Sequence, residues 1–233
     1  MNIHLETKAL FAGYNPADNH GAVKPPMHPA STFVFPSAAV GAAHMETAYG
    51  VDGAETPPEG GFIYSRLGNP TLSVAETRLA AWDESDAAAF FASGMAAIST
   101  MLFALTGPDK PIWYVGPLYG GTQHIVDDIL PSMGVSVKSM ESLDDLASVN
   151  KADGLPGMIY LETPANPTLQ IHSIKAAADW AKNNSSEDHR IIVAVDNTFL
   201  GPIIQRPLEL GADLNVYSAT KYIGGHSDLI AGA

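Results

Sequence analysis

The chain has 233 residues, 46% hydrophobic and 16% charged, with a formal net charge of −13 and no cysteine. This length and apolar content suit one large compact domain or two small ones, not a disordered chain. The acidic balance makes nucleic acid a poor partner, and without cysteine there are no disulfides or thiolate metal sites, in keeping with a reducing cytoplasm. The N-terminus, Met1-Asn2-Ile3-His4-Leu5-Glu6, has neither the basic nor the apolar stretch of a signal peptide. The most apolar run, Met95 to Leu105, falls short of the roughly 20 residues of a membrane span, so a soluble protein is expected.

Residues 1–68 are crowded with Pro, Gly and His (Pro25-Pro26, Pro29, Pro36, Pro57-Pro58, Gly60-Gly61) and show no sustained periodicity. They read as an extended arm with a few short turns or helices, and a second subunit is a natural surface for such an arm. From residue 69 the pattern changes. Asn69-Pro70-Thr71 starts a helix, with Leu72, Ala75, Leu79 and Trp82 following at helical spacing. A buried strand over Ala87–Ala92 is expected next, then a helix over Gly94–Leu105, a strand over Ile112–Val115 and a helix over Thr122–Leu130. Strand Val135–Val137, a short helix over Leu143–Val149, strand Met158–Leu161, helix Ile174–Lys182 and strands Ile191–Val195 and Asp213–Tyr217 complete the series.

Continuously apolar strands alternating with helices imply an α/β domain over 69–233, with a mostly parallel sheet covered on both faces in three α/β/α layers. Ligands of such sheets bind beyond the carboxyl ends of the strands. That rule gathers Ser93, Tyr119, Glu162 to Asn166, Asp196 and Ser218 to Lys221 along one edge.

Lys221 lies among small hydroxyl residues and glycines just past an apolar segment. It is either a solvated loop lysine or an amine placed to form a Schiff base with an aldehyde cofactor. Asp196 ends a strand and could pair with a protonated ring nitrogen, bind a metal or cap a turn. With no second donor at ligand spacing nearby, the metal reading is the weaker one, and no metal site is assigned. Ser93-Gly94-Met95 opens a helix after a strand, where free backbone N–H groups and a hydroxyl suit phosphate or serve only as a cap. The Tyr119 ring could stack on a flat cofactor and its hydroxyl could move a proton, or it is a half-buried loop residue. Arg66, beside Tyr64, could hold a phosphate with two parallel bonds or lie free on the surface. Asn166 could contact a cofactor hydroxyl or shape a Pro-bounded turn.

Six segments in order, Tyr64–Thr71, Ala92–Ala97, Leu118–Thr122, Glu162–Pro167, Val195–Thr198 and Ser218–Tyr222, resemble the Cys/Met-metabolism family of pyridoxal-phosphate enzymes. That family includes cystathionine γ-synthase, cystathionine γ-lyase, methionine γ-lyase and the O-acylhomoserine sulfhydrylases. The resemblance implies an aspartate-aminotransferase-like large domain (PLP fold type I) and pyridoxal 5'-phosphate as cofactor. Lys221 would then attach the cofactor and shuttle protons, Asp196 would pair with the pyridine nitrogen, and Tyr119 would stack on the ring and assist the leaving group. Ser93, Gly94, Met95, Ser218 and Thr220 would hold the phosphate. Asn166 would meet the ring hydroxyl, and Thr198 would complete the cofactor contacts.

The resemblance further implies that Tyr64 and Arg66 reach the phosphate of a neighbouring subunit in a tetramer built as a dimer of dimers. The implied reaction removes a Cα proton and then a Cβ proton of a sulfur amino acid or O-acylhomoserine, and expels the γ-substituent. Elimination of the methionine γ-lyase type yields a 2-oxo acid, ammonia and a thiol, and capture by a thiol gives γ-replacement. Gly13-Tyr14-Asn15-Pro16 and His20-Gly21-Ala22 are closest to methionine γ-lyases, whereas Gly121 stands where bacterial methionine γ-lyases typically carry a cysteine. The chain stops at Ala233, before the C-terminal domain that in the family supplies the arginine for the substrate carboxylate. It therefore reads as a truncated piece, and an inactive cofactor-binding fragment is the reading from another class.

Overall fold

The computed structural model describes residues 4–54, 61–149 and 154–233. Pro57, Pro58 and Gly60 of the arm, and Met1 to Ile3, lie outside these. The chain divides into two compact units, Met1–Ala81 and Trp82–Ala233.

The first unit contains α1 (Leu5–Phe11), a short 3-10 turn at Pro16–Asn19, α2 (Ala38–Ala48) and most of α3 (Pro70–Asp83). The arm is held largely by backbone and capping bonds. Thr71 N–H donates to the Asn69 side chain at 2.9 Å, which caps α3, while Pro70 occupies the first helical position as expected. His28 N–H donates to Thr71 Oγ1 at 2.9 Å, and Asn69 Nδ2 donates back to the His28 carbonyl at 3.0 Å. Thr32 and Tyr64 form an antiparallel bridge, so the arm doubles back beside the start of α3. The expected apolar stripe of α3 is only partly covered: Leu79 is buried and Leu72 is exposed.

The second unit is built on five parallel strands in the order β2-β1-β3-β4-β5. These are β1 (Ile112–Val115), β2 (Val137–Met140), β3 (Met158–Glu162), β4 (Ile192–Asp196) and β5 (Leu214–Val216). Between them lie α4 (Gly94–Leu105) before β1 and α5 (Gly120–His124) after it, the latter running on through a π turn into α6 (Leu130–Ser132). A 3-10 helix (Leu143–Ser148), α7 (Ile174–Asn184) and α8 (Gly201–Ile204) follow.

Strand alternation sorts the core into two clusters. Ile112, Tyr114, Met158, Tyr160, Ala194 and Val216 pack with Ile98 and Leu102 of α4 and with Val126 and Leu130. Trp113, Val115, Ile159, Leu161, Val193 and Val195 pack with Leu146, Ile174 and Ala177 on the opposite face. β1, β3 and β4 are therefore covered on both sides, as their unbroken apolar runs predict, while β2 leaves Lys138 and Ser139 exposed at the sheet edge. Each fully buried aliphatic residue contributes roughly 1.5–3 kcal/mol, enough in aggregate for the strand ends to carry buried carboxylates.

The expected strand at Ala87–Ala92 is not one. Only Phe91 pairs, exchanging both backbone bonds with Gly232 at 2.8 and 2.9 Å. Ala233 in turn exchanges both of its bonds with Tyr217. Residues 231–233 thus thread between the 87–92 segment and the end of β5, and a single paired residue on each side does not make a ladder. Apolar composition suggested the strand, but the segment forms one bridge, at Phe91, and no ladder. Elsewhere the boundaries differ by a few residues: β2 begins at Val137, α7 runs on to Asn184, and β3 and β4 extend to include their terminal acids.

Candidate active site

Strand parity aims two acids at one place. Glu162 ends β3 and Asp196 ends β4, they are register partners, and both continue the face that carries Tyr160 and Ala194. The start of α4 lies on this same face, and a cavity of about 270 Å³ opens there. Its walls include Ser93, Gly94, Met95, Tyr119, Glu162, Asn166, Asp196, Thr198, Ser218, Thr220 and Lys221. Every site residue expected from 69–233 is among them. Tyr64 and Arg66 belong to the first unit, where the Arg66 guanidinium sits 5.2 Å from the centre of the Tyr64 ring.

The start of α4 is shaped to receive an anion. Ser93 caps the helix by accepting from Ala96 N–H at 3.0 Å, leaving the N–H groups of Gly94 and Met95 without a partner inside the helix. Gly94 is dictated by close approach, since a Cβ there would lie 2.8 Å from Ser218 Cβ and 2.9 Å from its Cα. Across that contact the lysine loop is pinned at both ends. Ser218 N–H donates to Thr198 Oγ1 at 2.8 Å, and Lys221 Nζ lies 3.2 Å from Ser218 Oγ. Thr220 lines the cavity but gives its hydroxyl to Ala231, both accepting from its N–H and donating to its carbonyl at 3.1 Å.

Asp196 is buried, and its Oδ1 accepts from Thr198 N–H at 3.0 Å. Burial pushes its carboxyl above the usual carboxylate range, while Thr198 and the Lys221 ammonium pull the other way. Glu162 is also buried, and burial together with the Asp196 charge raises it to about 7. Beneath them Tyr160 is fully buried, and neither its hydroxyl nor that of Thr122 finds a hydrogen-bond partner of normal geometry among the described residues.

Tyr119 lines the cavity and is 44% exposed, with its backbone N–H held by Glu162. Gly121 lies under it, where a Cβ would come within 2.9 Å of Tyr119 Cε1 and 2.8 Å of Met95 Sδ.

A second layer ties the strand ends together and was not foreseen from the sequence. Tyr217 donates its hydroxyl to Asp83 Oδ1 at 2.6 Å and accepts from Asn197 Nδ2 at 3.2 Å. Asn197 also donates to the Gln205 carbonyl, and Gln205 Nε2 reaches the Thr163 carbonyl at 2.9 Å. Thr163, Asn197 and Tyr217 are sequence neighbours of Glu162, Asp196 and Ser218, so a buried polar chain fixes three site-bearing loops to the end of α3. Tyr217→Phe leaves the buried Asp83 carboxyl and Asn197 amide short of a partner. It is expected to destabilise the chain by about 1–3 kcal/mol, measurable as a drop in the urea midpoint with unchanged slope.

The donor set fits pyridoxal 5'-phosphate. There is an amine for the aldehyde, a buried acid for the ring nitrogen, an aromatic face, and helix N–H groups in a cradle that a side chain at Gly94 would fill. A parallel sheet with a lysine after β5, an acid ending β4 and an open helix start before β1 is the arrangement of a PLP fold type I large domain. The chain belongs to the Cys/Met metabolism PLP-dependent enzyme family, whose model matches residues 6–233.

The chain is 40% identical to an L-methionine gamma-lyase of Pseudomonas deceptionensis over 232 residues, 99% of this chain and 54% of that protein. It is 39% identical to a cystathionine gamma-synthase of Mycobacterium bovis over 228 residues, 97% of this chain and 53% of that one. Among solved structures, metY of Campylobacter jejuni with N'-pyridoxyl-lysine-5'-monophosphate superposes with a TM-score of 0.82 at 29% identity, covering 99% of this chain and 53% of that one. The chain spans about half the length of the curated relatives it matches. Among the described residues, no helix is long and apolar enough to cross a membrane.

Proposed function

We propose that the chain forms the cofactor-binding part of a cytoplasmic pyridoxal-phosphate enzyme of sulfur amino-acid metabolism. Its reaction is γ-elimination of the methionine γ-lyase type, releasing a 2-oxo acid, ammonia and a thiol. The observation that carries this reading is the convergence of the Lys221 amine, the buried Asp196 and the Gly94–Ser218 contact at the start of α4 on one cavity.

When bound, pyridoxal 5'-phosphate supplies an electron sink for charge developing beside the amino-acid α-carbon. The side chains hold and serve it. Lys221 would hold the aldehyde end of the cofactor and, as a free amine, would accept the Cα proton, hand it on, and only then accept the proton from Cβ. Asp196 would keep the pyridine nitrogen protonated, because an opposite charge beside a buried carboxylate relieves its cost. Tyr119 would cover one face of the ring, and its hydroxyl would supply a proton to the departing γ-substituent. Asn166 meets the ring hydroxyl. The N–H groups of Gly94 and Met95, with Ser93, Ser218 and Thr220, would hold the phosphate, and Thr198 braces both Asp196 and Ser218.

Residues 1–68 are assigned as an arm lying on a neighbouring subunit, with Tyr64 and Arg66 directed to its phosphate in a homotetramer. Residues 69–233 form the cofactor domain. A second reading, γ-replacement on an O-acylhomoserine, is favoured by Gly121. Its missing side chain lets Met95 and Tyr119 close over a position where a cysteine would push one of them aside. The similarity to a cystathionine gamma-synthase at 39% identity supports it as well.

Adding pyridoxal 5'-phosphate to the purified chain is expected to produce the visible absorbance of lysine-bound cofactor, followed by release of 2-oxobutanoate from methionine. An O-acylhomoserine offered with a thiol separates elimination from replacement. If no band forms, the cofactor reading fails. A band without turnover of methionine, cystathionine or an O-acylhomoserine reduces the chain to a binding fragment.

A further inference from the structure

Glu162 offers its two carboxylate oxygens to two different loops. Oε2 accepts from Tyr119 N–H at 2.7 Å, and Oε1 accepts from Asn166 N–H at 2.6 Å. Tyr119 sits at the start of α5 after β1, and Asn166 lies in the loop after β3, so one side chain spans two strand ends. It is 4% exposed, and no Lys or Arg forms an ion pair with it among the described residues. A buried acid without a cation is costly unless its bonds compensate. A glutamine could not replace it, since an amide accepts at one oxygen only and its NH2 would confront the second N–H.

We propose that Glu162 is a positioning residue of the cofactor site, a clamp whose two bonds set the gap between the Tyr119 ring and Asn166. This inference rests on the cofactor reading above and adds to it a residue that touches backbone rather than the reacting atoms. The clamp is complete when Glu162 is ionised. When it is protonated, one oxygen becomes a donor facing an N–H and one bond is lost. Burial first, and the Asp196 charge from β4 second, raise Glu162 to about 7, so the clamp loosens as pH falls through neutrality. The titratable groups facing it are Asp196 on β4, Tyr160 on β3 and, across the cavity, Lys221; Lys221 bears on it through Asp196.

Two measurements test the clamp. In the first, the cofactor-free chain is titrated from pH 5.5 to 8.5 by amide NMR. The Tyr119 and Asn166 N–H signals are expected to shift together with one shared midpoint near 7 and to lose the shift in Glu162→Gln. Separate midpoints, or none, overturn the proposal. In the second, pyridoxal 5'-phosphate is titrated into wild type and Glu162→Gln at pH 6 and pH 8, read by cofactor absorbance. Wild type is expected to bind more tightly at pH 8, and the variant to be weaker at pH 8 by on the order of tenfold and to lose most of the pH difference. A variant with wild-type affinity and pH dependence overturns the clamp. A wild-type chain that binds no cofactor at either pH sinks the cofactor reading instead, and the amide titration still decides the clamp. If the variant fails to fold, as circular dichroism would show, the wild-type amide titration stands alone as the deciding test.

Discussion

Lys221→Ala is expected to abolish the visible band formed with pyridoxal 5'-phosphate and to lower any turnover by at least on the order of 10⁴-fold, while leaving the fold intact. Among the described residues Lys221 is the one lysine lining the cavity, so no other amine of theirs is placed to take over the covalent attachment. Its side chain is exposed and, among the described residues, its one hydrogen bond is to Ser218 Oγ, so the stability cost should stay within about 0.5 kcal/mol. Lys221→Arg refines the test. It keeps a cation near Asp196 but presents a guanidinium that does not form the Schiff base, so it too should lose the band. Borohydride reduction followed by peptide mass mapping checks both variants. Unchanged cofactor occupancy on the alanine variant would overturn the assignment of Lys221.

The second large effect belongs to Asp196, where stability and cofactor binding are expected to move in opposite directions. Burial raises its carboxyl above the range it has in an unfolded chain. The unfolded chain therefore gives up this proton at lower pH than the folded one. As pH rises above the ordinary carboxylate range, burying the charge costs stability. Asp196→Asn keeps an oxygen for the Thr198 N–H and removes that cost. The cofactor-free variant should unfold at a higher temperature than wild type at pH 8, and the gain should fade at pH below about 4. The same change removes the charge proposed to keep the pyridine nitrogen protonated. Turnover should fall by on the order of 10²–10³-fold, in line with breaking a buried ion pair at about 3–5 kcal/mol. Thermal melts at the two pH values, paired with the 2-oxo acid assay, check both signs. A variant that loses stability at pH 8 would show that Asp196 is a structural acid.

Several site residues were legible because the signals that mark them are local. Asp196 follows five apolar residues, Ser93-Gly94 separates an apolar segment from a helix pattern, and Lys221 sits among small hydroxyl residues and glycines. Glu162 carries the same mark as Asp196, an acid closing a continuous apolar strand. Its sequence alone did not reveal what its two oxygens hold, because one partner, Tyr119, lies 43 residues away. The Tyr217–Asp83 bond joins residues 134 apart and leaves no periodic trace in either neighbourhood. Gly94 is readable as a turn glycine, but its need comes from Ser218, which the fold carries against it.

The sequence by itself determined the layered parallel sheet, since strands that are apolar on both faces have to be covered on both faces. It also determined the chemical types at the strand ends, since polar groups at the close of a buried run stand out against it. The tertiary structure alone decided which of those groups meet. It paired Glu162 with Asp196 through strand register, gave Glu162 two loops to hold, and tied the end of α3 to the lysine loop through Tyr217. It also left Ala87–Ala92 with a single bridge at Phe91 in place of a ladder, which apolar composition alone does not specify. Propensity and pattern act over a few residues, whereas hydrogen-bond partners and electrostatic neighbours are set by where the closed chain brings distant residues.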